Sequence, residues 1–243
     1  LGGTTRYIWS NLSGSISNYS DSKSGSSFSV DLGLYYNKEI TLLNRTSELS
    51  FGTHFSNIGG KITYGSSKNL DFIPINLRFG SALKTFIDQY NSITIALDFN
   101  KLLVPTPPIY EKDNLGNYVM DPLTNKPKIL KGKNPNRSVL SGMFSSFSDA
   151  PNGFSEELKE FTISSGLEYW YREMFALRGG YFFENNDKGG RKFLTFGAGL
   201  KYNNLGLDFS YISTIDQNHP LAETMRFSIT LLFNDAESSS IDD

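Results

Sequence analysis

His54 and Ser56, two positions apart, are the nearest this chain comes to a catalytic pair. On a strand, residues i and i+2 share a face, so an imidazole base would stand beside a hydroxyl, as in a lipid hydrolase that activates a serine. No acid or amide beside them would orient the imidazole, and a histidine on a polar strand face is better read as a hydrogen-bonding group. The only other histidine, His219, lies too far away in the strand map to build a metal site with His54. Cysteine is absent, which removes thiol nucleophiles, disulfides and thiolate metal sites. The expectation is no catalytic residue, no metal and no cofactor. Residues 104–157 carry a different chemistry. Lys126, Lys128, Lys131, Lys133 and Arg137 follow one another with no acidic residue among them, and Tyr110, Tyr118, Met120, Met143, Phe144 and Phe147 add apolar anchors. Such a segment suits lipid phosphates or an acidic protein partner. Tyr110, Tyr118, Lys126, Lys128, Lys131, Lys133, Arg137, Phe144 and Phe147 are therefore the expected partner-binding residues.

These groups need a scaffold, and the scaffold is written in alternation. Met225, Phe227, Ile229, Leu231 and Phe233 alternate with Arg226, Ser228 and Thr230 and end on an aromatic residue. The same period of two recurs at Leu205–Tyr211, Leu194–Tyr202, Phe175–Phe183, Phe161–Tyr171, Ile93–Phe99, Ile73–Phe79, Leu49–Phe55 and Phe28–Tyr36, and more weakly around Tyr7 and Trp9. Ten strands are expected. Asn203-Asn204 reads as a two-residue hairpin, because asparagine tolerates positive φ, and a second tight turn is expected near Arg172 and Glu173. A soluble β-sandwich also alternates, so a single strand does not decide the class.

Composition and loop lengths do. The 243 residues include 19 Phe, 13 Tyr and 22 Gly, with no apolar run near the 18 or more residues a membrane helix requires. A net charge of -2 argues against a nucleic-acid binder. With the C-terminus placed in the periplasm, the expected periplasmic turns fall at 37–46, 88–91, 172–173 and 203–204. The longer outer loops fall at 19–26, 65–71, 104–157, 185–191 and 213–222. Short turns at one end and long loops at the other are the grammar of a bacterial outer-membrane barrel. Asp31, Glu48, His54, Arg78, Asp98, Glu168, Arg178, Lys201, Asp208 and Arg226 all fall on the inward faces, where opposite charges can pair in a hydrated lumen. The expected fold is an all-β transmembrane antiparallel barrel over residues 1–233, with an outer loop at 104–157 and a periplasmic acidic tail at 234–243.

Five stretches carry a family resemblance: Ser56-Asn57-Ile58-Gly59, Leu102–Pro107, Leu177–Glu184, Gly206–Tyr211 and, above all, Asn218–Ser228. Together they resemble the PorV family, the FadL-like barrels of the Bacteroidetes type IX secretion system. The resemblance implies a 14-stranded outer-membrane barrel that receives cargo bearing a C-terminal signal domain from an SprA-type translocon and passes it to a PorU-type sortase. It implies outer-membrane lipid and lipopolysaccharide as surroundings, and no bond-making chemistry. Ten strands fall short of fourteen, and Leu1 is not a start methionine, so the chain is expected to be a C-terminal portion of such a barrel. A FadL-type uptake channel for hydrophobic small molecules is the alternative, and it would require an apolar path through the lumen.

Overall fold

A strand with hydrocarbon on one side and water on the other must show each chemistry at alternate positions, and β2 does so. In this strand (Gly25–Leu42), Ser27, Ser29 and Asp31 are buried while Phe28, Leu32, Leu34 and Tyr36 are exposed. A water-soluble protein buries the opposite set. The computed structural model describes residues 1–11, 24–64, 70–215 and 224–232. Around β2 stand β1 (Gly2–Ser10), β3 (Arg45–Gly59), β4 (Asn76–Phe86) and β5 (Asn91–Leu102). After β5 come two short strands, β6 (Ile109–Tyr110) and β7 (Ile129–Lys131), and two short helices, α1 (Val139–Ser145) and α2 (Phe154–Lys159). The chain then returns through β8 (Phe161–Tyr171), β9 (Phe175–Phe183), β10 (Lys192–Tyr202), β11 (Leu205–Thr214) and β12 (Thr224–Leu231).

The ten long strands form one antiparallel sheet in the order β1-β2-β3-β4-β5-β8-β9-β10-β11-β12, and β6 pairs with β7 alone. Among the described residues β1 and β12 are the two edges of the sheet. No described helix is long and apolar enough to cross a membrane. Register carries the alternation from strand to strand. Leu97, Phe99, Leu167, Leu177, Phe196 and Phe209 share the apolar face, and Arg78, Asp98, Glu168, Arg178 and Asp208 share the polar one. On β12, Phe227 is 76% exposed and Met225, Ile229 and Leu231 are comparably bare, a cost that only hydrocarbon removes.

Two expectations about strand limits are corrected. The turn placed at 37–46 is only two residues, Leu43 and Asn44, both in the left-handed region at φ 50° and 59°. The ladder runs unbroken through Asn37↔Ser50, Lys38↔Leu49 and Glu39↔Glu48. Backbone pairing needs no apolar side chain, and beyond the hydrocarbon both faces of a strand meet water. A barrel strand crosses in about 9–11 residues, so the 18 residues of β2 overhang. The correction removes the one long turn at that rim, whose connections are now 43–44, 87–90, 172–174 and 203–204. At the opposite rim the strands are separated by longer stretches, 103–160 and 184–191 among the described residues.

Ile73 and Ile75 do not belong to an exposed stripe. Pro74 between them offers no ladder donor, β4 starts only at Asn76, and both isoleucines are buried with Ile62, Leu103 and Met143 in a small core at the long-connection rim. Phe233, His219, residues 218–223, parts of the 19–26, 65–71 and 213–222 loops, and the 234–243 tail lie outside the described residues.

One irregularity locks β2 to β3. The register slips between Val30 and Leu32, where Asn57 adopts φ 58° and donates its backbone N–H to Asp31 Oδ1 at 2.8 Å. Asp31, only 3% exposed, also pairs with Arg6 of β1. Two positions on, a Cβ on Gly59 would lie 2.2 Å from the Phe28 carbonyl oxygen, so this close approach admits only glycine.

Candidate functional site

The inner wall comes first, because that is where uptake or hydrolysis would occur. Arg178 of β9 reaches Glu168 of β8 at 2.6 Å and, across β10, Asp208 of β11 at 2.5 Å. The guanidinium passes over Gly197 and Gly199, and a Cβ at Gly199 would stand 2.8 Å from Asp208 Oδ1. Glycine on β10 thus makes room for a charge staple spanning four strands. Farther round, a 620 Å³ groove runs over Gly33, Gly52 and Gly80, with Tyr35, His54, Arg78 and Asp98 on its walls. His54 faces Arg78 across the β3–β4 pair, where a general base would need an acid. Among the described residues no hydrogen bond joins His54 to Ser56.

The long-connection rim is built differently. Lys101 follows Phe99 on the apolar face of β5, in register with Leu77 and Phe161. A bare charge facing lipid there would be costly, about 2–4 kcal/mol at the bilayer midplane. Instead Lys101 is 1% exposed and donates to Glu157 at 3.2 Å and Glu160 at 2.6 Å, beneath the Phe147 and Phe161 rings. Glu160 is the hub. Its other oxygen accepts from Thr106 at 2.7 Å and from Lys188, in the β9–β10 connection, at 3.0 Å. Lys188 also donates to Glu156 at 2.7 Å. Glu157 accepts the Ala150 N–H at 2.7 Å. Both ends of the 103–160 connection are thereby tied to β5 and to the neighbouring connection.

The electrostatics follow from these contacts. Burial acts to raise the pKa of Glu160, but hydrogen bonds from Lys101, Thr106 and Lys188 outweigh it and leave the value lowered. Burial likewise acts to lower that of Lys188, and its bonds to Glu156 and Glu160 leave it raised. Asp149, 2% exposed beside them, is pushed up by burial against the opposing hydrogen bonds from Thr106.

The middle of the connection projects as a small β finger, residues 109–131. Its turns rest on Asp113, which accepts the N–H groups of Leu115 and Asn117, and on Asp121, which accepts those of Leu123 and Thr124. Tyr110 and Tyr118 meet edge to face at 5.8 Å and brace it.

The nine partner residues expected from sequence divide between these two parts. Tyr110, Tyr118, Lys126, Lys128 and Lys131 lie in the finger, where Lys128 pairs with Glu111 at 2.7 Å. Lys133 donates to Ser148, Arg137 donates to the Asn134 carbonyl, Phe144, on α1, is 76% exposed, and Phe147 lies against the Lys101 ammonium. Leu115 and Leu123, the barest large apolar side chains of the finger, are absent from that set. The signal that marks them is a repeat, Asp-x-Leu-x-Asn, at 113–117 and again at 121–125.

Comparison with known proteins bears on the first five strands. No curated protein matches the chain. Residues 2–109, which include all of β1–β5 and with them the Asp31–Asn57 lock and Lys101, match the family model described as type IX secretion system protein PorV, so this part of the chain is similar to that family.

Proposed function

We propose that the chain is a non-enzymatic outer-membrane adaptor, whose long-connection rim faces the cell exterior and whose C-terminus lies in the periplasm. The 103–160 connection engages an SprA-type translocon and cargo carrying a C-terminal signal domain, for delivery to a PorU-type sortase. The observation carrying this reading is the construction of that connection, with a charge-locked base holding an exposed finger clear of the barrel. A loop with no role has no need of a buried Lys101–Glu157–Glu160 network or of ordered turns that leave apolar side chains bare.

Replacing residues 109–131 with a short Gly-Ser link removes the finger and spares the base. The expected result is a barrel that still inserts and shows heat-modifiable mobility, with co-purification of the translocon and surface display of cargo both lost. Unchanged recovery and display would refute the adaptor reading.

A FadL-type channel for hydrophobic small molecules has one observation in its favour, the groove over Gly33, Gly52 and Gly80. Its lining includes Leu34, Phe51, Ala82 and Ala96, but His54, Arg78 and Asp98 interrupt it, and an acyl chain would have to pass them. Uptake of a labelled fatty acid by reconstituted protein would establish it.

A further inference from the structure

The two Asp-x-Leu-x-Asn segments are the same device built twice. In each, the aspartate Oδ1 accepts the N–H of the leucine two residues on, at 2.9 Å for Leu115 and 2.8 Å for Leu123. A second N–H closes each turn, from Asn117 at 2.9 Å and from Thr124 at 3.2 Å. Gly116 at φ 86° and Asn125 at φ 50° supply the left-handed backbone that such turns require. The turns are ordered by hydrogen bonds and not by burial, so the leucines are left 87% and 95% exposed. An apolar side chain on a backbone already fixed has met part of the ordering cost of binding before any partner arrives. Lys112, Lys126 and Lys131 stand exposed around the pair.

We infer that the twin turns are a two-pronged anchor, which seats Leu115 and Leu123 in an apolar cleft of a protein partner whose rim carries carboxylates. The inference rests on the reading of the 103–160 connection as a partner-binding element and names the residues and partner chemistry within it. A lipid surface fits less well. Asp113 and Asp121 sit at the base of the prongs, and hydrogen bonding from the Asn117 backbone holds Asp113 below the usual carboxylate range. Insertion of either leucine would carry the carboxylate at its base toward hydrocarbon, whereas a cleft takes the leucine and leaves that carboxylate in water.

The test places a photo-crosslinking side chain at position 115 or 123 of the protein in its own outer membrane and identifies the adducts by mass. Adducts with one and the same protein from both positions are expected; adducts with lipopolysaccharide, or none, overturn the inference. Leu115→Ser and Leu123→Ser should each lower recovery of that protein roughly tenfold, and Leu→Met at the same sites should restore most of it. Recovery should also fall as salt is raised from about 0.1 M to about 1 M, since the lysines are exposed. Unchanged recovery with the double serine variant overturns the anchor. If the Gly-Ser replacement of 109–131 stops secretion and the serine pair does not, the adaptor reading stands and the prongs fall. If the replacement leaves secretion intact, both fall.

Discussion

Within the connection from β5 to β8, the ends and the middle are ordered by opposite means. At the ends, Lys101, Glu157 and Glu160 are withdrawn from water and hold one another, and Met143 joins Ile75 and Leu103 in a small core. In the middle, residues 109–131 bury almost nothing and depend on aspartate-capped turns and one tyrosine pair. The first kind of order positions a segment, because a buried network breaks as a unit. The second leaves apolar surface free at low entropic cost to a later complex. A buried base and an exposed apolar surface are thereby made from one stretch of chain.

The comparison breaks most sharply at Lys101. Lys101→Met leaves the buried Glu157 carboxylate without a cation and Glu160 with Lys188 alone, a change expected to cost about 3–5 kcal/mol locally. Limited proteolysis should then cut within 138–160 while the β-barrel core stays protected. Cleavage confined to the finger would show that the base does not depend on the network. Gly59→Ala tests whether the sheet itself is as tightly determined as that base. Its Cβ would meet the Phe28 carbonyl, and a loss on the order of 2–3 kcal/mol in resistance to denaturant is expected.

Acid should separate ends from middle more gently. The pKa of Glu160 is lowered in the folded state, so its contribution is present above the ordinary carboxylate value and is lost as pH falls through the lowered one. Asp149 is raised, so it acts oppositely, with stability falling as pH rises from the ordinary value through the raised one. Asp149→Asn is accordingly expected to raise the melting temperature at neutral pH and to lose that gain in acid. Amide protection within 138–160, taken relative to the intrinsic exchange rate at each pH, should follow Glu160 and fall at low pH. The smallest effect belongs to the finger tips. Leu115→Ser and Leu123→Ser remove no buried contact and should alter stability by less than about 0.5 kcal/mol, measured as the heat-modifiable transition. A larger loss would mean that the leucines pack, contrary to their exposure.

Much of the sheet was legible because barrel physics works one residue at a time. Apolar and polar positions alternate against two solvents, and the Asn203 turn declares itself through asparagine's tolerance of positive φ. The Leu43-Asn44 turn did not, since leucine is a poor candidate for a left-handed position and the polar run from Asn37 resembles a loop. Ile73 and Ile75 keep the period of two yet leave the lipid face, because Pro74 ends the ladder and a core forms around them. The finger repeat was written in the chain all along, but Leu115 and Leu123 acquire meaning only once their exposure is known.

What sequence alone determined, then, is the two-faced sheet and the asymmetry of its rims. Alternation needs only neighbouring residues and the knowledge that hydrocarbon cannot hydrogen-bond a backbone. Tertiary structure decided the rest. A lysine on an apolar stripe is a liability or a keystone according to whether two glutamates some 56 to 59 positions away fold over it, and that distance is closed only in space.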